Sequence, residues 1–109
     1  MKPLKELCDQ LDVFLHEPGR LAIVATLAPL PNGMTFVELR DKLQMTDGNL
    51  SVHLQKLEDK GYVEIEKKFV GRRPQTTCRV TKTGRKALGG YIDQMAAILH
   101  QARNQAARA

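Results

Sequence analysis

The residues with usable chemistry sit in one stretch, Thr46 to Pro74, TDGNLSVHLQKLEDKGYVEIEKKFVGRRP. Asn49, Ser51 and Gln55 carry amide and hydroxyl groups that both donate and accept, as base edges and phosphates require. Val52 offers methyl groups that can touch a thymine methyl. Gly48 leaves the backbone free to approach a phosphate closely. Thr46 precedes the backbone N–H groups of a helix start, which suit an anion, and Lys56 adds a cation. Further on, Lys67, Lys68, Arg72 and Arg73 surround a turn. Arginines at a turn tip suit phosphates or a narrow minor groove, where negative potential is concentrated. The bland alternatives are an ordinary solvated helix face and a solubilising hairpin.

The charge pattern favours the polyanion. From Lys67 through Ile92 there are eight basic residues and no acid, whereas residues 1–66 carry 7 basic and 11 acidic residues, a net of −4. The total is only +5. A solvated surface needs no such sorting, and a surface for a polyanion does.

Other chemistries find little support. There is no GxSxG, HExxH, P-loop or glycine-rich nucleotide fingerprint, so no enzyme is expected. Asp9, Asp12 and Glu17 read as a solvated acidic run. His16, His53 and His100 lack ligand spacing, so no metal or other cofactor is expected. Cys8 and Cys78 form no CxxC. They read as two reduced, partly buried thiols, with a redox sensor as the rival. No apolar run approaches the roughly 18 residues of a membrane span. MKPLKELCDQLD lacks an apolar signal core, so the expected address is the cytoplasm.

The 109 residues fit one domain, residues 1–109, with a single core. Leu4, Leu7, Leu11, Phe14 and Leu15 predict a first helix over about 4–16. Pro18 opens a second, nearly all-apolar helix, which ends before Pro29-Leu30-Pro31-Asn32-Gly33. Thr35-Phe36-Val37-Glu38 matches a capping box and opens the third helix, which ends near Gln44. A short connector at Met45-Thr46 leads into the fourth, as in a helix-turn-helix. Leu50, Leu54 and Leu57 form its buried stripe, Asp47 stabilises its N-terminus, and Gly61 stops it. His53 lies at the stripe's edge. Val63 and Ile65 alternate with Glu64 and Glu66 in a strand. Phe69 to Pro74 reads as a turn region, and Gln75 to Val80 as the returning strand. Met34-Thr35 is a candidate third strand. Thr81 or Thr83 caps a last helix over about 82–105. Gly89-Gly90 interrupt its heptad-like seam of Leu88, Ile92, Met95, Leu99 and Ala102, which predicts a bend or a close helix crossing. The tail RNQAARA is expected to fray. The fold class is mainly α with a small β-hairpin (α+β), in the order α-α-α-α-β-β-α.

HEPGRLAIVATL, FVELRDKLQMTDGNLSVHLQKLEDKGYV and VGRRPQTTCRVTKTGRKAL together resemble compact winged helix-turn-helix transcriptional regulators of the MarR/ArsR kind. The likeness covers roughly Leu11 to Leu88. It implies a DNA-binding dimer that usually represses transcription. By motif, Thr46 to Lys56 form the recognition helix and Lys68 to Arg73 the wing; by their charge, Lys67, Arg79, Lys82 and Arg85 are expected to add phosphate contacts. Double-stranded DNA with a palindromic site is the expected partner. The terminal helices are the expected dimer interface, through Leu4, Leu7, Leu11 and Phe14 of the first and Leu88, Ile92, Met95 and Leu99 of the last. An intramolecular pairing of these helices is the alternative. Full-length MarR proteins have more dimerisation helix around their ligand pockets, so the resemblance leaves a small-molecule effector unassigned. The cysteine pairs of metal-sensing ArsR proteins are absent from Phe36 to Lys60. The rival functions are a winged-helix module for protein contact and a thiol-based regulator.

Overall fold

The computed structural model describes residues 2–108. Its elements run α1 (Leu4–Asp9), α2 (Pro18–Leu27), β1 (Met34–Thr35), α3 (Phe36–Leu43), α4 (Asp47–Asp59), β2 (Val63–Val70), β3 (Arg73–Val80) and α5 (Lys82–Ala107). Both hairpin strands and β1 are antiparallel, in the order β1-β3-β2. The expected α+β order is present, and the extra strand at Met34-Thr35 pairs with Cys78 and Thr77.

The core follows the apolar spacing. Ile23, Val24 and Leu27 of α2, Leu39 of α3 and Leu50, Leu54 and Leu57 of α4 are buried together with Val63, Cys78 and Val80 of the sheet. The caps hold the helices in place. Thr35 and Glu38 satisfy each other's backbone N–H groups, at 3.1 Å each way. Asn49 N donates to Thr46 Oγ1 at 3.1 Å and Gly84 N to Thr81 Oγ1 at 3.0 Å, so Thr81 rather than Thr83 caps α5. Gly61, at φ +81°, ends α4. Gln44 closes α3 in the same left-handed region, at φ 54°, without being glycine.

Four expectations need correction. The first helix stops at Asp9, not near 16. Gln94 Oε1 accepts from Asp12 N at 2.9 Å, and Asp12 Oδ1 accepts from Leu15 N at 3.1 Å. These bonds fold residues 10–17 into a strap that drives Leu15 fully into the core. The hairpin is longer than predicted. Phe69-Val70 and Arg73-Pro74 are paired, and only Gly71-Arg72 turn. Positive φ at the first of these two alone is the type II′ pattern, and Gly71 supplies it at φ +64°. Pro74 is tolerated because β1 covers β3 only at Thr77 and Cys78, leaving that stretch of β3 unpaired on its other side. Helix α5 runs unbroken through Gly89-Gly90, and among the described residues nothing beyond the chain neighbours and the helix's own backbone lies within 4 Å of a Cβ built at either. It also continues through Ala107, beyond the expected 105, because Gln, Ala and Arg favour helix.

Tyr62 joins the pieces. Its carbonyl accepts from Thr81 N at 3.0 Å, and its hydroxyl donates to Asp12 Oδ2 at 3.1 Å. Burial, then the Asp12 carboxylate, push its phenol above the ordinary value. Phe14 packs edge-on against its ring at 5.8 Å. Gly84 lies so close that a Cβ there would press into the Tyr62 carbonyl.

Two glycines of the same helix therefore behave oppositely. Gly84→Ala should lower unfolding stability by about 1–3 kcal/mol through overpacking. Gly89→Ala, in open space, should raise helix stability by about 0.5–1 kcal/mol. Denaturant melts of the two variants check this, and equal effects would contradict it.

Candidate nucleic-acid interface

Burying one side of α4 dictates what the other side shows. With Leu50, Leu54 and Leu57 facing the core, Gly48, Asn49, Ser51, Val52, Gln55 and Lys56 are all exposed. Thr46 is exposed too, but its hydroxyl is engaged as the cap. Asp47, the acid at the helix start, is matched by Arg40 Nη1 at 2.9 Å, while Arg40 Nε reaches Asp41 Oδ1 at 2.9 Å. The hydrogen bond to Asp47, then that to Asp41, raise the guanidinium's pKa. Arg40 thus offsets part of the charge of Asp47, although it is shared with Asp41. Gln55 Nε2 donates to Asp59 Oδ1 at 2.9 Å along its own helix, and must leave it to reach another partner. His53 faces away from this surface. Its Nδ1 lies 4.0 Å from Glu17 Oε1 at the start of α2, a boundary position as expected.

Beside α4 stands the hairpin. A groove lined by Ser51, Leu54 and Gln55 on the helix and by Ile65, Lys67 and Thr76 on the sheet separates them. Lys67, Lys68, Arg72 and Arg73 are all exposed. Lys68 lies 3.6 Å from Glu66 Oε1. Among the described residues, no acid is within ion-pair distance of Lys67, Arg72 or Arg73.

Not every cation of the acid-free segment is available. Arg79 Nη2 holds Glu64 Oε1 and Glu66 Oε2, each at 2.9 Å, so it braces the hairpin instead of awaiting a phosphate. Arg79, then Lys68, keep the Glu66 carboxyl below its usual range. Arg85 Nε donates to Ala28 O at 3.0 Å, tying α5 to the end of α2. Both of these expected phosphate contacts have partners within the chain. Their acceptors lie far off in sequence or across the hairpin, and only the Glu64–Arg79 register could have disclosed the first. Lys82 remains exposed.

The terminal apolar residues divide in two. Helix α1 packs on α5 within the chain. Leu11, Phe14, Leu88 and Met95 lean on the core, and Leu4 and Leu7 are half-buried. Ile92 and Leu99 stay 56% and 60% exposed. Cys8 is exposed and Cys78 fully buried. Burial pushes the Cys78 thiol up to about 11, opposite to what a sensor needs. Among the described residues no cluster of His, Cys, Asp or Glu could hold a metal ion, and no helix is long and apolar enough to cross a membrane.

A helix-turn-helix with an outward polar face, flanked by a cationic hairpin, defines a winged-helix DNA-binding domain. The chain belongs to that family, whose model, described as a winged helix DNA-binding domain, matches residues 20–99. Its fold is also that of MarR-family transcriptional regulators. A transcriptional regulator homologue from Pyrococcus horikoshii OT3 superposes with a TM-score of 0.80 at 28% identity, covering 94% of this chain and 98% of that one. S. aureus MepR, solved as a complex with DNA, superposes with a TM-score of 0.65 at 18% identity, covering 93% and 77%. An uncharacterised protein of Methanocaldococcus jannaschii is 46% identical over 57 residues, which make up 52% of this chain and 62% of that protein. The match thus spans less than two thirds of that relative's length.

The two thiols give a direct check on the packing. At about pH 8 a thiol reagent should label Cys8 in the native protein and Cys78 only after unfolding. Mass spectrometry of the labelled peptides reads this, and native labelling of Cys78 would refute its burial.

Proposed function

We propose that the chain is a sequence-specific transcriptional regulator that binds double-stranded DNA as a homodimer and acts as a repressor. The observation that carries this reading is the pairing of two surfaces: the exposed polar face of α4 and the unpaired cations of the adjacent wing. In this reading α4 enters the major groove, where Asn49, Ser51, Val52 and Gln55 meet base edges and Gly48 and the helix start approach phosphate. Lys56, Lys67, Lys68, Arg72 and Arg73 hold the flanking backbone or minor groove. The Arg40–Asp47 pair supports it by reducing the repulsion that Asp47 would present to a phosphate.

The exposed Ile92 and Leu99 on α5, with Leu88 and Met95 on the same helix, Leu4 and Leu7 on α1 and Leu11 and Phe14 in the strap, support pairing of two copies through the terminal helices. Two copies would set their recognition helices on half-sites about 34–36 Å apart, one turn of a palindromic duplex. Occupying both half-sites obstructs other proteins on that DNA, which makes repression the simplest output. A protein-contact module without DNA is disfavoured by the unpaired wing cations, and a thiol switch at Cys78 by its burial.

Selection of bound duplexes from a random pool tests DNA binding, palindromy and spacing together. Affinity for the selected site should fall with salt by about 0.9 in log K per decade for each phosphate neutralised, and a flat response would sink the DNA reading. Replacing Arg72 and Arg73 together by alanine should weaken binding to every sequence and shallow that slope. Ser51→Ala or Gln55→Ala should instead relax base preference, by roughly 1–3 kcal/mol for a bidentate contact. Equal losses on specific and random DNA for the helix variants would count against this division of labour. Ile92→Asp or Leu99→Asp should give folded monomers in sedimentation, and a surviving dimer would place the interface elsewhere.

A further inference from the structure

Phe69 is 73% exposed, and the adjoining Val70 54%, near the tip of a hairpin that also carries the exposed Lys67, Lys68, Arg72 and Arg73. It pairs across the hairpin with Pro74, one step before the closing Val70–Arg73 pair. Strand alternation places it on the same face as Lys67, which lines the groove against Ser51 and Gln55 of α4. Phe69 lies two residues further out, about 7 Å along the strand. The two-residue turn and the fixed φ of Pro74 hold its backbone in one arrangement.

The surroundings indicate what would cover this ring. Lys67, Lys68, Arg72 and Arg73 stand on either side of it in sequence, and all are exposed. An apolar protein partner would have to desolvate these cations along with the ring. A duplex neutralises the cations and offers base steps to the ring. Resting on the DNA reading above, we infer that Phe69 is an apolar wedge, which enters a base step in the minor groove beside each half-site and partly unstacks it. Aromatic wedges on cationic arms open base steps and bend the duplex in this way. Pyrimidine–purine steps unstack most readily, so Phe69 would impose a preference for TA or CA/TG at positions that α4 does not reach. The wing would then contribute to sequence choice as well as holding phosphates.

The test uses the full chain and a duplex selected from the random pool, with 2-aminopurine substituted at successive steps flanking each α4 site. Wild-type binding should brighten the probe at one flanking step per half-site. Phe69→Ala should abolish that signal, remove the TA or CA/TG preference and weaken binding about tenfold or more, as expected for a lost base–aromatic contact. Its salt slope should be unchanged because no charge is lost. Phe69→Leu, which keeps an apolar wedge, should retain most of the brightening. The exposed position means that both variants should melt like wild type. If wild type binds DNA with the expected salt slope but no flanking step brightens, or brightening persists in Phe69→Ala, the wedge is overturned while the DNA reading stands. A change in sedimentation of DNA-free Phe69→Ala would also overturn it, by assigning the ring to contact between copies. A wild type that binds no duplex overturns the DNA reading itself.

Discussion

Burial of Leu50, Leu54 and Leu57 fixes the orientation of everything that faces outward. Three leucines on one side of α4, packed on α2 and the root of the hairpin, leave the helix a single rotational setting. In that setting the small and polar residues between them are the exposed ones. A change of about 100° at any one residue's place in the repeat would bring a polar side chain inward, where an unpaired polar group costs several kcal/mol. The exposed face of α4 is therefore specified by the core. Only residues 44–46 separate α3 from α4, and Gln44 takes the left-handed conformation there.

Charge is sorted a second time within the basic segment. Arg79 and Arg85 are engaged with partners within the chain, one bracing the hairpin and one joining α5 to α2. Arg72 and Arg73 are left at the tip, where no acid of the described chain competes for them. The acids that could have quenched the wing, Glu64 and Glu66, sit at its root and are drawn to Arg79. The hairpin thus gains a polarity along its length, neutral near the body and cationic at its end.

Much of this was legible in the sequence because it rests on local rules. The capping box at Thr35, the Thr46 cap, the leucine stripe of α4 and the left-handed glycines at positions 61 and 71 depend on residues within a turn of one another. The misreadings have non-local causes. Leu11, Phe14 and Leu15 have helical spacing, but Gln94, on a distant helix, captures the Asp12 backbone and bends the chain into a strap. The Gly89-Gly90 pair weakens a helix intrinsically, yet packing of Leu88, Tyr91 and Met95 carries α5 through it. Phe69 and Val70 looked like loop residues beside a Gly-Arg-Arg-Pro run, and only the register shows them paired. The roles of Arg79 and Arg85 likewise depend on partners that spacing alone does not reveal.

Tyr62 gives the molecule a mechanical property. Its carbonyl holds the start of α5, its hydroxyl holds the strap behind α1, and the next residue begins the wing. Gly84 lets α5 come into direct backbone contact there, leaving no slack. The root of the wing, the start of α5 and the strap therefore meet at a single residue, so the orientations of all three are set at one joint.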